Sequence, residues 1–236
     1  MRLDKALTLT GITRSQARKA ISQGRAQVNG AVVRDISADV EPSEVIFDGK
    51  PLADAGDITL MLYKPAGMLT ATTDRNAPTV LDLVPADIKN RGFGPVGRLD
   101  KDVTGLVLLT TDGQLAHRLI SPKREVAKIY IAKVEGEPTE ESLDIIRKGG
   151  IEFTDFVSKP AGAEYLGDSI VKLTLTEGKY HEVKRICAKI GHPVIELKRV
   201  SIAGVELDPA LTAGQLRRVT PEEESRLYAA AGIEKK

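Results

Sequence analysis

The order of the apolar segments most constrains the fold of this chain. From residue 58 onward, strand-like and helix-like segments follow one another without the regular alternation of a parallel doubly wound sheet. The predicted strands cover residues 58–63, 105–110, 128–134, 171–176 and 194–200. The predicted helices cover residues 114–119, 140–148, 181–190 and 221–230. This pattern favours an α+β fold.

The first 55 or so residues form a pattern of their own. A helix over residues 2–10 places Leu3, Ala6 and Leu7 on one face. A second helix, capped by Thr13 or Ser15, runs to residue 22 and is closed by a glycine at position 24. The sequence therefore predicts two short helices at the amino terminus.

A hairpin and a further strand follow these helices. The pair Asn29-Gly30 lies between apolar residues, which is the strongest short-range signal for a β-hairpin. Residues 45–47 predict another strand, and residues 51–57 predict a linker. The expected front unit is thus a helix–helix–hairpin domain.

The charges of the chain are unevenly distributed, although its net charge is only +1. Residues 1–34 hold seven basic residues against Asp4 alone, a net of +6, and residues 35–57 hold seven acidic residues against Lys50 alone, a net of −6. A basic stretch beside an acidic one suggests an oriented surface for a polyanion. Two solvated faces of opposite charge are the alternative interpretation.

The composition argues against several classes of protein. Cys187 is the only cysteine, so an intrachain disulfide or a cysteine-based zinc site cannot form. The three histidines, His117, His181 and His192, lack metal-ligand spacing. No run of about 18 apolar residues is present, and no apolar segment follows the first residues as in a secretory signal. We therefore expect a cytoplasmic protein without a membrane span.

The front unit carries a basic face that is suited to RNA. Arg14 and Arg18 are four residues apart and share one helix face, with Lys19 and Arg25 beside them. Guanidinium groups match phosphate oxygens in bidentate geometry. The segments at residues 2–5, 15–21 and 24–30, with Val33, resemble the S4 RNA-binding domain. A small helical domain with a solvated basic face is the alternative.

The segment Gly97-Arg98-Leu99-Asp100-Lys101-Asp102-Val103-Thr104-Gly105-Leu106 carries two carboxylates and allows three interpretations. The first is an aspartate turn, with Gly105 permitting a tight path. The second is the nucleophile loop of haloacid-dehalogenase-type phosphatases. That chemistry needs a later acidic pair for magnesium, and Asp168 stands alone. The third is covalent catalysis on a nucleotide by one carboxylate.

The third interpretation is supported by a family resemblance. Besides residues 97–106, the blocks at 64–67, 110–113, 128–130 and 177–185 resemble the pseudouridine synthases with Arg-Leu-Asp in their catalytic loop, specifically the ribosomal small-subunit type. The matched blocks span residues 60–220. The resemblance implies an S4-like domain at residues 1–56 and a catalytic domain at residues 60–236, built on a mixed, largely antiparallel sheet.

The same resemblance implies an activity. The expected reaction is isomerisation of one uridine of 16S ribosomal RNA to pseudouridine, without a cofactor or a metal. The expected partner is ribosomal RNA or a small-subunit assembly intermediate, bound by a monomer. A 23S ribosomal RNA target, or a non-catalytic S4-type RNA-binding or ribosome-assembly factor, remains an alternative.

The resemblance also implies roles for individual residues. Asp100 is the expected nucleophile, Lys184 the cation that keeps it ionised, and Tyr130 the ring that stacks on the extracted uracil. Whether Asp100 attacks the sugar or assists elimination of the base stays open. The expected RNA contacts in this part of the chain are Arg98, His181 and Arg185. The block Lys64-Pro65-Ala66-Gly67 is expected to shape a loop and to take no part in the chemistry.

Overall fold

The computed structural model describes residues 1–52, 56–86 and 88–234. Two helices open the chain: α1 (Leu3–Thr8) and α2 (Arg14–Ser22). Thr13 caps α2, since its hydroxyl accepts the amide of Gln16 while the Gln16 side chain accepts the amide of Thr13. This reciprocal cap confirms the predicted start of the second helix.

A four-stranded sheet follows in the order β2-β1-β3-β4 among the described residues. Its strands are β1 (Ala26–Val28), β2 (Ala31–Val32), β3 (Val45–Phe47) and β4 (Lys50–Pro51). Asn29 and Gly30 join β1 to β2 with φ angles of 49° and 80°, the backbone that a tight hairpin turn requires. The predicted linker is wrong at its start, because Pro51 pairs with Ile46. Residues 53–55 of that linker lie outside the described residues.

The rest of the described chain contains a second sheet of nine strands. Seven of them follow the order β13-β5-β7-β11-β8-β10-β9, and in addition β6 pairs with β7 and β12 pairs with β11. Among its described strand pairs, β7 and β11 run parallel and the others run antiparallel, which confirms the mixed, largely antiparallel sheet. The strands are β5 (Thr59–Lys64), β6 (Gly94–Pro95), β7 (Thr104–Thr110), β8 (Lys128–Val134), β9 (Gly162–Gly167), β10 (Ile170–Leu175), β11 (Val194–Ile202), β12 (Val205–Glu206) and β13 (Leu216–Arg218).

Helices pack on both faces of this sheet. The alternation of β7 sends Val107 and Leu109 into one core and Leu106 and Leu108 into the other. The first core includes residues of α4 (Glu140–Lys148) and α5 (Glu182–Lys189), and the second includes residues of α3 (Gly113–Ile120) and α6 (Pro221–Ala231). These helices confirm the α+β class. Within the described ranges, no helix combines the length and the apolar character needed to cross a bilayer.

Candidate active site

A buried lysine anchors the loop that carries Asp100. Lys64, at the end of β5, is fully buried, and its Nζ donates to the backbone carbonyls of Pro65 at 3.0 Å, Lys101 at 3.2 Å and Val103 at 2.8 Å. The amide of Gly67 also donates to the Lys101 carbonyl at 2.7 Å. Burial lowers the Lys64 pKa to about 8, although the charges of nearby carboxylates oppose that shift. The block 64–67 therefore holds the loop in place, as expected, but through a side chain as well as through its backbone.

Thr70 holds the other end of the loop. Its hydroxyl donates to the carbonyl of Leu99 at 2.8 Å and lies 3.2 Å from the amide of the same residue. Thr70 is buried, so these bonds are shielded from competing water. The residue directly before Asp100 is thus fixed through its backbone.

Gly105 lets the strand after the loop approach β11. It pairs with Arg199 in the parallel register and has a φ of 106°, and an added Cβ would lie 2.2 Å from the carbonyl oxygen of Arg199. No side chain can be accommodated at that distance. The glycine of the motif is therefore required by the close contact of two strands.

A cavity of about 560 Å³ opens beside the anchored loop. This volume lies within the usual range of roughly 300–1,000 Å³ for small-molecule sites. Strands β8 and β11 form one wall, and residues 175–184 form another. The charged and aromatic residues among its lining are Arg98, Asp100, Lys128, Tyr130, Glu177, Lys179, Tyr180, His181, Glu182, Lys184 and Arg199.

Asp100 lies between two basic side chains. One carboxylate oxygen is 3.5 Å from His181 Nε2 and the other is 3.4 Å from Lys184 Nζ. Lys184 also donates to both carboxylate oxygens of Asp102 at 2.8 Å. Asp100 lines the cavity and Asp102 does not. The side chain of Asp100 is 31% exposed, whereas that of Asp102 is 73% exposed.

The charges of this cluster reinforce one another. Burial opposes protonation of Lys184, but its hydrogen bond to Asp102 and the attraction of both carboxylates outweigh burial and raise the Lys184 pKa. The same hydrogen bond from Lys184 lowers the Asp102 pKa. Lys184 is therefore a cation at neutral pH, beside a carboxylate that borders the cavity.

Tyr130 lies on the wall of the cavity between two buried cations. It is 9% exposed in β8, where Lys128 is two residues away on the same face, and it is paired across the sheet with Arg199. Arg199 Nε donates to the carbonyl of Leu106 at 2.8 Å, and Lys128 Nζ donates to that of Val126 at 2.9 Å. Burial and then the charge of Arg199 lower the Lys128 pKa. The wall of the cavity is therefore aromatic and positively charged.

Two buried glutamates also line the cavity. Glu182, the first residue of α5, accepts the amide of Lys179 at 2.9 Å, and Glu177 accepts the amide of Lys159 at 2.9 Å. Burial and then a hydrogen bond with Glu177 raise the Glu182 pKa to about 7. The two carboxyl groups share a buried site that disfavours two negative charges.

The expected RNA contacts near the cavity fall into two groups. Arg98 and His181 line the cavity, and Arg98 is exposed. Arg185 points elsewhere: it forms a salt bridge with Asp155 and lies 4.6 Å and 4.8 Å from the ring centroids of Phe153 and Phe156. These contacts occupy its guanidinium group, so they favour a structural role, and its expected contact with RNA stays a prediction.

The expected RNA contacts of the front unit lie apart from the cavity lining. Arg14 and Arg18 both donate to the fully buried Asp4, at 3.0 Å and 3.2 Å, and each remains about half exposed. The hydrogen bond from Arg14 lowers the Asp4 pKa strongly, against the opposing effect of burial. Arg25 pairs with Asp48, and Lys19 is exposed. The shared helix face of Arg14 and Arg18 is present as predicted.

Sequence reasoning missed Lys64, Lys128, Arg199, Glu177 and Glu182 as parts of the site. A signal existed for Lys128, because residues 128 and 130 of a predicted strand must share a face. Lys64 belongs to a block that is expected to shape a loop, but nothing in the sequence shows that its side chain anchors the Asp100 loop. No signal marked Arg199, since its position depends on which strands become neighbours in the sheet.

Comparisons with known proteins identify the family of this chain. The family model described as RNA pseudouridylate synthase matches residues 58–189, and the S4 domain model matches residues 1–46. A Bacillus subtilis (strain 168) protein named uncharacterized RNA pseudouridine synthase YtzG is 40% identical over 94% of this chain and 96% of its own. Ribosomal small subunit pseudouridine synthase A of Escherichia coli (strain K12) is 38% identical over 94% of this chain and 98% of its own.

A solved structure gives the same result. The crystal structure of a pseudouridylate synthase matches with a TM-score of 0.69 and 36% identity, over 96% of this chain and 99% of the other. The chain therefore belongs to the RNA pseudouridine synthase family and is an enzyme of that class, with an S4 domain at its amino-terminal end.

Proposed function

We propose that this enzyme isomerises one uridine of 16S ribosomal RNA to pseudouridine, with Asp100 as the nucleophile. The observation that supports this most strongly is the position of Asp100, on the cavity wall between Lys184 and His181. The 16S target is supported by the relative of 38% identity, whose name specifies the ribosomal small subunit.

The surroundings of Asp100 suit a nucleophilic carboxylate. A base inserted into the cavity would remove water from Asp100 and favour its protonated form. Lys184, 3.4 Å away, opposes that change because its positive charge stabilises the carboxylate. The proposed task of Lys184 is therefore to keep Asp100 ionised when the substrate covers it.

The proposed reaction balances without any other reactant. The bond between N1 of uracil and C1′ of the ribose breaks, the base turns, and a bond forms between C5 and C1′. The proton on C5 is lost and N1 gains one, so no atom or electron is added. Asp100 either attacks C1′ or assists departure of the base, and a carboxylate can do both.

Tyr130 is proposed to hold the detached base during this turn. Its ring lies on the cavity wall, where it can stack on uracil, and its hydroxyl can reach the C5 proton that must leave. Buried Lys128 and Arg199 on either side add positive charge where the uracil oxygens become electron-rich.

The RNA around the target is proposed to be held at two places. Arg98, exposed at the cavity, is suited to the phosphates of the extracted nucleotide, and His181 to a neighbouring contact. Arg14, Arg18, Lys19 and Arg25 form the second contact, in an RNA-binding domain of residues 1–56 that precedes a catalytic domain of residues 60–236. The proposed form is a cytoplasmic monomer that acts on ribosomal RNA or a small-subunit assembly intermediate.

The target is tested by incubating the purified protein separately with 16S and 23S ribosomal RNA, and with small-subunit and large-subunit particles. Pseudouridine is then mapped by carbodiimide modification and primer extension. The expected result is one new pseudouridine in the 16S RNA. New pseudouridine in the 23S RNA alone would contradict the small-subunit assignment while leaving the enzyme class intact.

A further inference from the structure

We propose that Tyr180 stacks on a nucleobase next to the target uridine and supports the RNA strand from which the uridine has been extracted. The inference deepens the proposed function and rests on it in one respect, that the cavity receives a uridine drawn out of RNA. Tyr180 is a binding residue at the cavity, distinct from Tyr130 on the inner wall.

Tyr180 presents an exposed aromatic ring at the cavity. Its side chain is the most exposed of the large apolar residues in the described part of the chain, at 71%, and it is the aromatic one among them. It also lines the cavity, as does Ile120, which is 46% exposed. Singly exposed apolar side chains are common on protein surfaces, but an exposed aromatic face at a cavity is placed to stack on a flat ligand. Its position at the cavity indicates where such a ligand binds.

The ring is held in a fixed orientation. Tyr180 stacks on the ring of His181 with centroids 3.8 Å apart and planes inclined by 18°, which leaves its opposite face available. His181 has a φ of 51°, a left-handed conformation that sets the direction of both side chains. A ring that is already ordered loses little conformational entropy when a ligand stacks on it.

The backbone around Tyr180 is also anchored. Arg185 Nη1 donates to the carbonyl of Tyr180 at 3.3 Å, and Arg185 is itself held by Asp155. Glu182 accepts the amide of Lys179 at 2.9 Å, which closes the turn on the other side. The contacts that hold Arg185 thus also fix the position of the exposed ring.

The chemistry of an RNA base fits this ring better than other ligands do. Extraction of a nucleotide leaves its neighbours without a stacking partner, at a cost of a few kcal/mol. Every base has a flat π face, so an aromatic ring can stack on any of them. The nearby cations Lys179 and Arg98 suit the phosphates of the same strand. We expect the stacking contact between Tyr180 and the neighbouring base in the RNA complex both before and after the isomerisation.

The variants Tyr180→Phe, Tyr180→Leu and Tyr180→Ala separate ring stacking from apolar bulk, with Leu166→Ala as the control. Leu166 is 50% exposed in β9 and does not line the cavity. A KM increase of roughly ten- to hundredfold is expected for the Ala variant, with kcat within a few-fold of the wild type. The Phe variant should retain the wild-type KM, the Leu variant should resemble the Ala variant, and the control should be unchanged.

A second measurement locates the contact. An RNA fragment spanning the mapped target carries 2-aminopurine on the 5′ side or the 3′ side of the target uridine. Binding of the wild type and the Phe variant should quench the probe on one side, and the Ala variant should not. The fragment comes from whichever ribosomal RNA the wild type modifies, so a wrong subunit assignment leaves this test intact.

Any of three results would overturn the proposal. An Ala variant with the wild-type KM and the wild-type fluorescence would show that Tyr180 does not contact the RNA. A Leu variant that binds as tightly as the Phe variant would show that apolar bulk, rather than a stacked ring, accounts for the effect. A loss of kcat with an unchanged KM would instead assign Tyr180 to the positioning of His181 and would also contradict the proposal.

Discussion

Lys184 donates hydrogen bonds of 2.8 Å to both carboxylate oxygens of Asp102, and these contacts are shorter than its 3.4 Å separation from Asp100. The cation that the sequence assigns to Asp100 is therefore shared by two carboxylates. Asp102 is the more exposed of the two and fixes the lysine from the solvent side. Asp100 lines the cavity with a positive charge nearby but with no contact as short as those that Lys184 makes with Asp102, which suits a nucleophile.

Substitution of Asp102 by Asn should affect the pH profile more than the maximal rate. Asp102 helps to raise the Lys184 pKa, so its loss should let burial lower that pKa. We expect kcat to remain within about tenfold of the wild type at neutral pH. Because Lys184 then loses its proton at lower pH, the decrease of kcat/KM at alkaline pH should also begin at lower pH. The measurement is kcat/KM between pH 6 and 10, with Lys101→Ala as a control in the same loop. An unshifted alkaline limb would contradict the shared role of Lys184.

Substitution of Lys64 by Met should lower kcat without removing any group that contacts substrate. The three hydrogen bonds from Lys64 Nζ hold the backbone on either side of Asp102 and immediately after Lys64. A shift of about 1 Å in a catalytic group can reduce the rate roughly a hundredfold. We expect a loss of kcat of that order in protein that remains folded by circular dichroism. Lys101→Met, on an exposed side chain, is the matched control, and wild-type kcat in a folded Lys64→Met variant would refute the anchoring role.

The outline of the fold could be predicted because it depends on local patterns. The strand at residues 128–134 and the helix at residues 140–148 agree with β8 and α4 at both ends. The strand β9 was missed because its sequence, GAEYLG, is short, begins and ends with glycine and lacks a regular apolar alternation. The three-residue strand β13 was missed for a similar reason, since it is defined by pairing with β5 and not by its own composition.

The site could be predicted only where a motif carried it. Asp100, Tyr130 and Lys184 meet at one cavity although they come from a loop, a strand and a helix that are far apart in the chain. Arg199 could not be identified, because its burial beside Tyr130 depends on β11 lying between β7 and β8. The helix predicts that Arg185 points away from Lys184, but its partners could not be predicted, since Asp155 and the two phenylalanines that hold it lie about 30 residues earlier.

Substitution of Glu182 by Gln should stabilise the protein at alkaline pH and have little effect at acid pH. The folded-state pKa of about 7 lies above the ordinary value of 4.5, so the folded protein retains a proton that the unfolded chain loses. Stability of the wild type therefore falls as pH rises from about 4.5 to 7. The Gln side chain does not ionise, so at alkaline pH the variant should have a larger free energy of unfolding than the wild type, by at most about 3 kcal/mol. Urea unfolding at pH 4.5 and pH 8 measures the difference.

The matched control for that experiment is Glu141→Gln, on an exposed residue of α4. It should change the free energy of unfolding only slightly at either pH. An equal effect of Glu182→Gln at pH 4.5 and pH 8 would contradict the elevated pKa of Glu182.

Removal of the arginine face of the front unit should weaken RNA binding without affecting the chemical step. Arg14 and Arg18 also compensate the buried Asp4, so Ala substitutions alone would leave that buried carboxylate with only Arg2 among the three arginines that bind it. The test therefore combines Arg14→Ala and Arg18→Ala with Asp4→Asn, and uses Asp4→Asn alone as the control. For each phosphate that the variant no longer binds, the slope of log K for RNA binding against the logarithm of the salt concentration should become shallower by about 0.7. The kcat at saturating RNA should be unchanged. An unchanged salt slope would show that this face does not contact RNA.

The nucleophile is tested most directly by a single-turnover assay of Asp100→Asn beside Asp102→Asn, on RNA that the wild type modifies. The amide is nearly the same size as the carboxylate but cannot act as an anionic nucleophile. We predict no pseudouridine from Asp100→Asn, RNA binding within a few-fold of the wild type, and clear turnover by Asp102→Asn. Pseudouridine formed by Asp100→Asn, together with an inactive Asp102→Asn, would contradict the assignment and transfer the nucleophile to Asp102.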